Sequence, residues 1–257
     1  MGTVTKALEL LDLFSRARPL IGLSELARLA ELNKATCFRL VTELADYGLL
    51  EQVGTAREYR LGPTVLRLSA LREAHVPMRD AAMPVLQGLA QTTGETAHMS
   101  LLLGTILRPL AVAYSTAHST RVSIEDTDAL PFHATSSGLA VLAFQPESFL
   151  ARIIAGPLPA LTPQTETDPA RLRQKLTAIR AAGIAESAGG FEADVHSLAL
   201  PLFDALGRCS GAVAVAGLSS RMTESQIHLI RASLLRAGVQ ITQFWGGTAP
   251  PAIAHQG

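Results

Sequence analysis

The segment that most constrains the fold covers residues 23–61, LSELARLAELNKATCFRLVTELADYGLLEQVGTAREYRL. Leu26, Ala27 and Ala30 recur at helical spacing behind Ser24, whose hydroxyl is placed to cap the first turn. The pattern breaks at Leu32 and Asn33. Asn33 is a good N-cap for a second helix over residues 34–47, with Phe38, Leu40, Val41, Leu44 and Ala45 on its inward face. Gly48 follows where a left-handed residue ends a helix. Residues 49–53 and 57–61 read as two strands around the turn Gly54-Thr55-Ala56. Helix, turn, helix and hairpin make a winged helix-turn-helix, whose second helix is shaped for the major groove of DNA.

On that second helix, Ala35, Thr36 and Arg39 share an exposed face near the N-terminus, where base edges are reached. Arg39 can donate two hydrogen bonds to guanine, and Thr36 can meet a thymine methyl or a phosphate. Lys34 is placed for a phosphate. Arg57 at the wing is a candidate for backbone or minor-groove contact. Arg60 reads either that way or as a strand charge paired with Glu51. Ser24 and Asn33 complete the candidate DNA-binding set. A few polar residues on a helix face ordinarily mean only a solvated surface, and the architecture around these is what points to DNA. The net charge is zero over the whole chain, so the expected non-specific affinity is modest.

At 257 residues, 48% hydrophobic and 17% charged, the chain can build two domains with cores of their own. A first helix over residues 4–14, started by Thr3 or Thr5, closes the small N-terminal core. Gly62-Pro63 marks a boundary, and Val65, Leu66, Leu68 and Leu71 continue as a linker helix up to the break at His75-Val76-Pro77. A helix over residues 79–91 follows, then strands over 96–103 and 106–114. Further helices are expected over 139–144, 148–154 and 168–181, the last opened by Asp168-Pro169. Two apolar strands, 198–203 and 212–218, flank the turn 204–210. Thr223 caps a final helix to residue 244, with Ile227, Ile230, Leu234, Leu235 and Val239 inward. The expected fold class is α+β: a DNA-binding domain over 1–62, a linker helix over 63–77, a second domain over 78–246, and a flexible tail over 247–257.

Other chemistries find little support. No apolar run is long enough for a membrane span. The opening MGTVTKALELLDLF lacks the basic region and cleavage site of a signal peptide, so a cytoplasmic protein is expected. Cys37 and Cys209 match no metal or redox spacing and read as reduced structural thiols. The seven histidines form no zinc motif, and neither G-x-S-x-G nor H-E-x-x-H occurs. No enzyme, metal or cofactor is expected. His133, beside a helix start, reads either as a structural hydrogen-bonding residue or as a ligand contact.

Seven segments in order carry a resemblance to the IclR family of bacterial transcriptional regulators. They are VTKALELLDLF at 4–14, LSELARLAELNKATCFRLVTEL at 23–44, YRLG at 59–62 and TGETAHMSLL at 93–102. The others are PFHATSSGLAVLA at 131–143, TDPARLRQKLTAIRAAGIA at 167–185 and LALPLFDALGRCSGAVAVAG at 198–217. The resemblance implies a winged helix-turn-helix, a linker helix and a GAF-like effector domain, in dimers or dimers of dimers on double-stranded promoter DNA. It places an effector pocket at His133, Ser136, Ser137, Gly138, Ser187, Val195, Ser197, Ala214 and Ala216, with the amides of Ser136 and Ser137 holding a carboxylate. The chain departs from the family pattern at Ser187, where an acid is usual, at Ser197, where a cysteine is frequent, and at Ala214-Val215-Ala216, where Ser-x-Ser is frequent. An apolar back wall follows. Either the ligand is more hydrophobic than glyoxylate or pyruvate, such as an aromatic or longer-chain acid, or response has been lost. The first is the expectation. The competing expectation is a C-terminal domain that only sets assembly.

Overall fold

A computed structural model of the chain describes residues 2–15, 18–55, 57–75, 78–124, 129–248 and 250. Two compact units divide after residue 77. The first contains α1 (Thr3–Asp12), β1 (Ile21–Gly22), α2 (Leu23–Leu29), α3 (Lys34–Asp46), β2 (Leu50–Val53), β3 (Glu58–Leu61) and α4 (Pro63–His75). Leu10, Ile21, Leu26, Leu40, Val41 and Leu50 bring α1, α2, α3 and the hairpin into one core. Asn33 Oδ1 accepts from Thr36 N at 2.8 Å and so caps α3. Gly48, at φ +67°, ends that helix in the left-handed region. The turn between α2 and α3 uses Glu31 at φ +54° and closes with Leu32 N donating to Ala27 O at 2.9 Å. Thr64 Oγ1 donates to Tyr47 O at 2.9 Å, tying the start of α4 to the end of α3, so this linker helix groups with the first unit.

The structure corrects three local expectations here. Ser24 does not cap α2. Ile21 and Gly22 pair with β3 as a third strand, order β1-β3-β2, so the chain is extended up to Gly22, which becomes the N-cap and leaves Ser24 exposed within the first turn. Phe38 is 53% exposed, because Cys37 takes the inward position, one helical step away. Neither Thr3 nor Thr5 caps α1, whose N-cap Gly2 offers no side chain and which ends at Asp12.

The second unit is a five-stranded antiparallel sheet, order β5-β4-β8-β7-β6, built from β4 (Thr96–Leu103), β5 (Ile106–Ala113), β6 (Ala185–Ala188), β7 (Val195–Phe203) and β8 (Cys209–Leu218). Its helices are α5 (Met78–Thr93), α6 (Ser136–Ala143), α7 (Glu147–Ile154), α8 (Pro169–Ala182) and α9 (Glu224–Phe244). Leu200 of β7 packs on Gly238 of α9, while Ser197, of opposite parity, faces the start of α6. Helices therefore cover both faces, and the central strands β7 and β8 are almost wholly apolar, as burial on two sides requires. Pro201 is tolerated in β7 because β6 stops at the pair Ala185–Ala199 and asks for no amide there.

β6 was not expected, since Ala-Glu-Ser-Ala carries no β-branched or aromatic residue. α6 begins three residues earlier than its apolar run suggested. The predicted helix caps Asp168 and Thr223 are both in place. Of the tail, residues 249 and 251–257 lie outside the described residues, as do Val76, Pro77 and the turn residue Ala56.

Arg221, in the turn after β8, donates through Nε and Nη2 to the two oxygens of Glu95 at 2.5 and 2.6 Å. Glu95 is buried, and this bidentate pair joins the entry of β4 to the entry of α9. Replacing Arg221 by Ala leaves a buried carboxylate without its cation and should destabilise the unit by about 3 kcal/mol. Arg221→Lys should recover only part of the loss. Urea unfolding followed through Trp245, the sole tryptophan and part of this core, measures both.

Candidate functional site

The first unit presents one face of α3. Lys34, Ala35, Phe38, Arg39 and Thr42 are exposed and Thr36 is half-buried. Ala35, Phe38, Arg39 and Thr42 fall at i, i+3, i+4 and i+7, a single stripe. Thr42 Oγ1 donates back to Phe38 O at 2.9 Å. Asn33 uses its carbonyl oxygen on the α3 cap, which leaves its side-chain amide available outward. Arg57 sits in the wing turn at φ +53°, a left-handed conformation that costs about 1 kcal/mol for a residue with a side chain. Arg60 pairs with Glu51 at 2.6 Å, so the ordinary strand-charge reading holds for it. Phe38 is the member of this face that sequence reasoning placed inside. The apolar pattern alone could not tell it from Cys37.

The second unit contains a cavity at the N-terminus of α6, with about 50 Å³ open to the centres of water molecules. Every residue of α6 is buried. Thr135 Oγ1 accepts from Gly138 N at 2.9 Å and donates to Pro131 O at 2.9 Å. That cap leaves the amides of Ser136 and Ser137 with no acceptor among the described residues, although both residues are buried. Helix polarity adds to their attraction for a negative group. Gly138 is required because a Cβ there would press on Pro131 O and Phe132 Cα. Ser187 Oγ donates to Ala134 O at 2.7 Å, fixing the loop that feeds the helix.

Around these amides the wall combines Ser197 and Val195 of β7, Ala216 of β8 and Ser187 of β6 with Val122, Ile124, Leu130 and Phe191. Glu192 stands at the rim, exposed. Among the described residues no lysine or arginine lines the cavity. Of the expected pocket residues, the structure brings together Ser136, Ser137, Ser187, Val195, Ser197 and Ala216. Three do not line it. His133 points its Nε2 to Pro159 O, donating at 3.0 Å, and so is a structural hydrogen-bonding residue. Gly138 lies behind the cap. Ala214 sits opposite His98 in the β4–β8 pairing and is fully buried, without reaching the lining.

Sequence reasoning missed His98. It is 4% exposed, lines the cavity from β4, and holds Ser137 Oγ at 3.2 Å through Nε2. Its Nδ1 is buried without a hydrogen-bond partner among the described residues. Burial lowers its pKa from the ordinary 6.5 to about 4, so the ring is neutral near pH 7. Both cysteines are buried, and burial raises their thiols, Cys209 to about 12, so neither is a ready thiolate. Among the described residues no group of three His, Cys, Asp or Glu is arranged to hold a metal ion, and no helix is long and apolar enough to cross a membrane.

His98 makes stability pH-dependent in a defined direction. Below pH 6.5 the unfolded chain binds a proton that the folded chain refuses until about pH 4. Its contribution is therefore complete above pH 6.5 and is lost as pH falls through that window. Between neutral pH and the bottom of the window, wild type should lose about 3 kcal/mol more than His98→Phe in urea unfolding. Parallel pH profiles for the two proteins would contradict it.

Comparison with known proteins agrees with both units. Residues 3–54 match the family model of the IclR helix-turn-helix domain, and residues 70–243 match that of the bacterial transcriptional regulator IclR C-terminal domain. The HTH-type transcriptional regulator BhcR of Paracoccus denitrificans is 28% identical over 238 residues, which are 92% of this chain and 85% of that one. A crystal structure from Silicibacter sp. TM1040, assigned to the IclR regulators, is 51% identical with a TM-score of 0.87, covering 98% of this chain and 99% of its own. An IclR homologue from Microbacterium hydrocarbonoxydans, solved with 4-hydroxybenzoate, is 27% identical with a TM-score of 0.57, covering 94% of this chain and all of its own, 100%. The chain belongs to the IclR family of transcriptional regulators, with a helix-turn-helix DNA-binding domain joined to a C-terminal effector domain.

Proposed function

We propose that this regulator senses a small carboxylic acid of apolar or aromatic character and reads promoter DNA through α3 and the wing. The observation that carries the ligand reading is the pair of buried, unpartnered amides of Ser136 and Ser137, opening into a cavity with an apolar wall. The amides hold the carboxylate, and Val122, Ile124, Leu130, Phe191 and Ala216 enclose the body of the acid. The bound 4-hydroxybenzoate of the Microbacterium homologue is an acid of this kind. Ser187, Val195 and Ser197 complete the lining, while His133, Gly138 and Ala214 shape the loop, cap and floor behind it.

On DNA, Arg39 reads a base and Thr36 a thymine methyl or a phosphate, with Phe38 and Ala35 beside them on the same stripe. Lys34, Ser24, Asn33 and Arg57 hold the sugar-phosphate backbone. The protein works in the cytoplasm as a homodimer or a dimer of dimers. Exposed Val4 and Leu8 on α1, with Leu66 and Leu68 on α4, offer apolar surface for a second copy. Two copies would place two α3 helices on successive half-sites.

The DNA reading is tested on a duplex selected from a random pool. Arg39→Ala should lose most of its preference for that duplex over random DNA. Lys34→Ala should weaken binding to both and lower the salt slope by about one. Equal behaviour of the two variants on both duplexes would overturn the assignment of α3. For the cavity, monocarboxylates such as benzoate should raise the melting temperature of the full chain by mass action and change its affinity for the selected duplex. If no acid in a broad panel does either, the C-terminal domain sets assembly only.

A further inference from the structure

The carboxylate reading leaves one buried polar atom of a cavity-lining residue unexplained. His98 Nδ1 has no hydrogen-bond partner among the described residues, although the side chain is buried. A desolvated nitrogen without a partner is costly, and native structures keep few of them unless a ligand or water completes the site. Its neighbour in the ring, Nε2, is engaged by Ser137 Oγ at 3.2 Å. Ser137 is therefore shared between two subsites. Its amide belongs to the anion-attracting helix start, and its hydroxyl belongs to the imidazole.

We infer that His98 reads a hydroxyl group on the ligand, so that within a series of related acids the cavity selects the hydroxylated member. The inference rests on the carboxylate reading of the same cavity. The ring is neutral, held so by burial, and a neutral imidazole has one donor nitrogen and one acceptor nitrogen. If Nδ1 carries the proton, Nε2 accepts from Ser137 and Nδ1 requires an acceptor. In the other tautomer Nε2 donates to Ser137 and Nδ1 requires a donor. A hydroxyl satisfies either state by rotating, as does the Ser137 hydroxyl on the other side. A carboxylate is an acceptor alone, and the two free amides already serve it. A methyl or an unsubstituted ring edge satisfies neither tautomer and leaves the nitrogen bare. Val122, Leu130 and Phe191 line the same cavity with no polar side-chain atom, and its other polar side chains are those of Ser123, Thr135, Ser136, Ser187, Ser197 and Glu192. The chemical class is thus a hydroxy monocarboxylate.

The test is calorimetric titration of the full-length protein with benzoate and its three monohydroxy derivatives, and with propionate and lactate. At least one hydroxylated acid should bind about tenfold tighter than its parent. In His98→Phe that preference should fall to within about twofold. His98→Gln, which retains a donor and an acceptor without titrating, should restore part of the preference. A measurement on wild type alone guards against a misfolded variant: in a nitrogen-15 spectrum of the imidazoles, Nδ1 of His98 should move with the hydroxylated acid and stay in place with its parent. Hydroxylated and parent acids binding equally would overturn the inference and leave the carboxylate reading intact. So would a His98→Phe variant that weakens both members of a pair alike, since the imidazole would then be holding the carboxylate. If no acid binds, hydroxylated or not, the carboxylate reading and the inference fall together.

Discussion

The effector domain depends on a helix that starts inside the protein. Helix starts expose orphan amides, and most proteins leave them to water or cap them with side chains. α6 is buried along all its residues, so water is largely excluded from its first turn. Thr135 satisfies one amide and stops there. The remaining two, those of Ser136 and Ser137, have no acceptor among the described residues, and both residues line the cavity. Gly138 lets the Pro131–Phe132 backbone close behind the turn, Ser187 and His133 pin the loops on either side, and the sheet supplies the floor. The domain thereby keeps a buried helix start, which favours negative charge, beside a cavity.

The absence of a cationic side chain from the described lining follows the same logic. An arginine in the cavity would bind anions of many shapes through long-range attraction. Two fixed amides attract only a group that reaches them with the right geometry, and the apolar wall then discriminates by shape. On the proposed reading, selectivity comes from enclosure more than from charge. The DNA-binding unit shows the opposite economy: its polar residues lie outside, on a stripe of α3 and in a wing turn where Arg57 is held in a left-handed conformation. Such local strain persists at functional turns when neighbouring contacts define them, here Gln52 Nε2 donating to Arg57 O at 3.1 Å.

Much of this was legible in the chain. Asn33, Gly48, Asp168 and Thr223 are local signals, each acting through a hydrogen bond or a backbone angle within a few residues, and each sits where its chemistry predicts. The errors arose where a distant segment decided the outcome. Ser24 lost its capping role because Ile21 and Gly22 join a strand from the far side of the hairpin. Phe38 and Cys37 are both apolar, and only the packing of α1 against α3 chooses between them. β6 has no strand-forming residue and exists because β7 offers an open edge. His98 reads as one more residue in an apolar strand until β4 is set against α6, 39 residues further along the chain. Ser136 and Ser137 were expected from family resemblance alone, and their lack of an acceptor among the described residues became visible only with the cap and the burial around them.

In the proposed complex the amides of Ser136 and Ser137 receive the ligand's carboxylate. Labelling the serines with nitrogen-15 and recording amide spectra of the full chain during titration with a bound monocarboxylate tests it directly. The two amide protons should shift strongly downfield together, as charge-assisted hydrogen bonds form, and other serine amides far from the cavity should stay in place. A ligand that binds while both resonances remain fixed, or that moves serines elsewhere instead, would contradict the account.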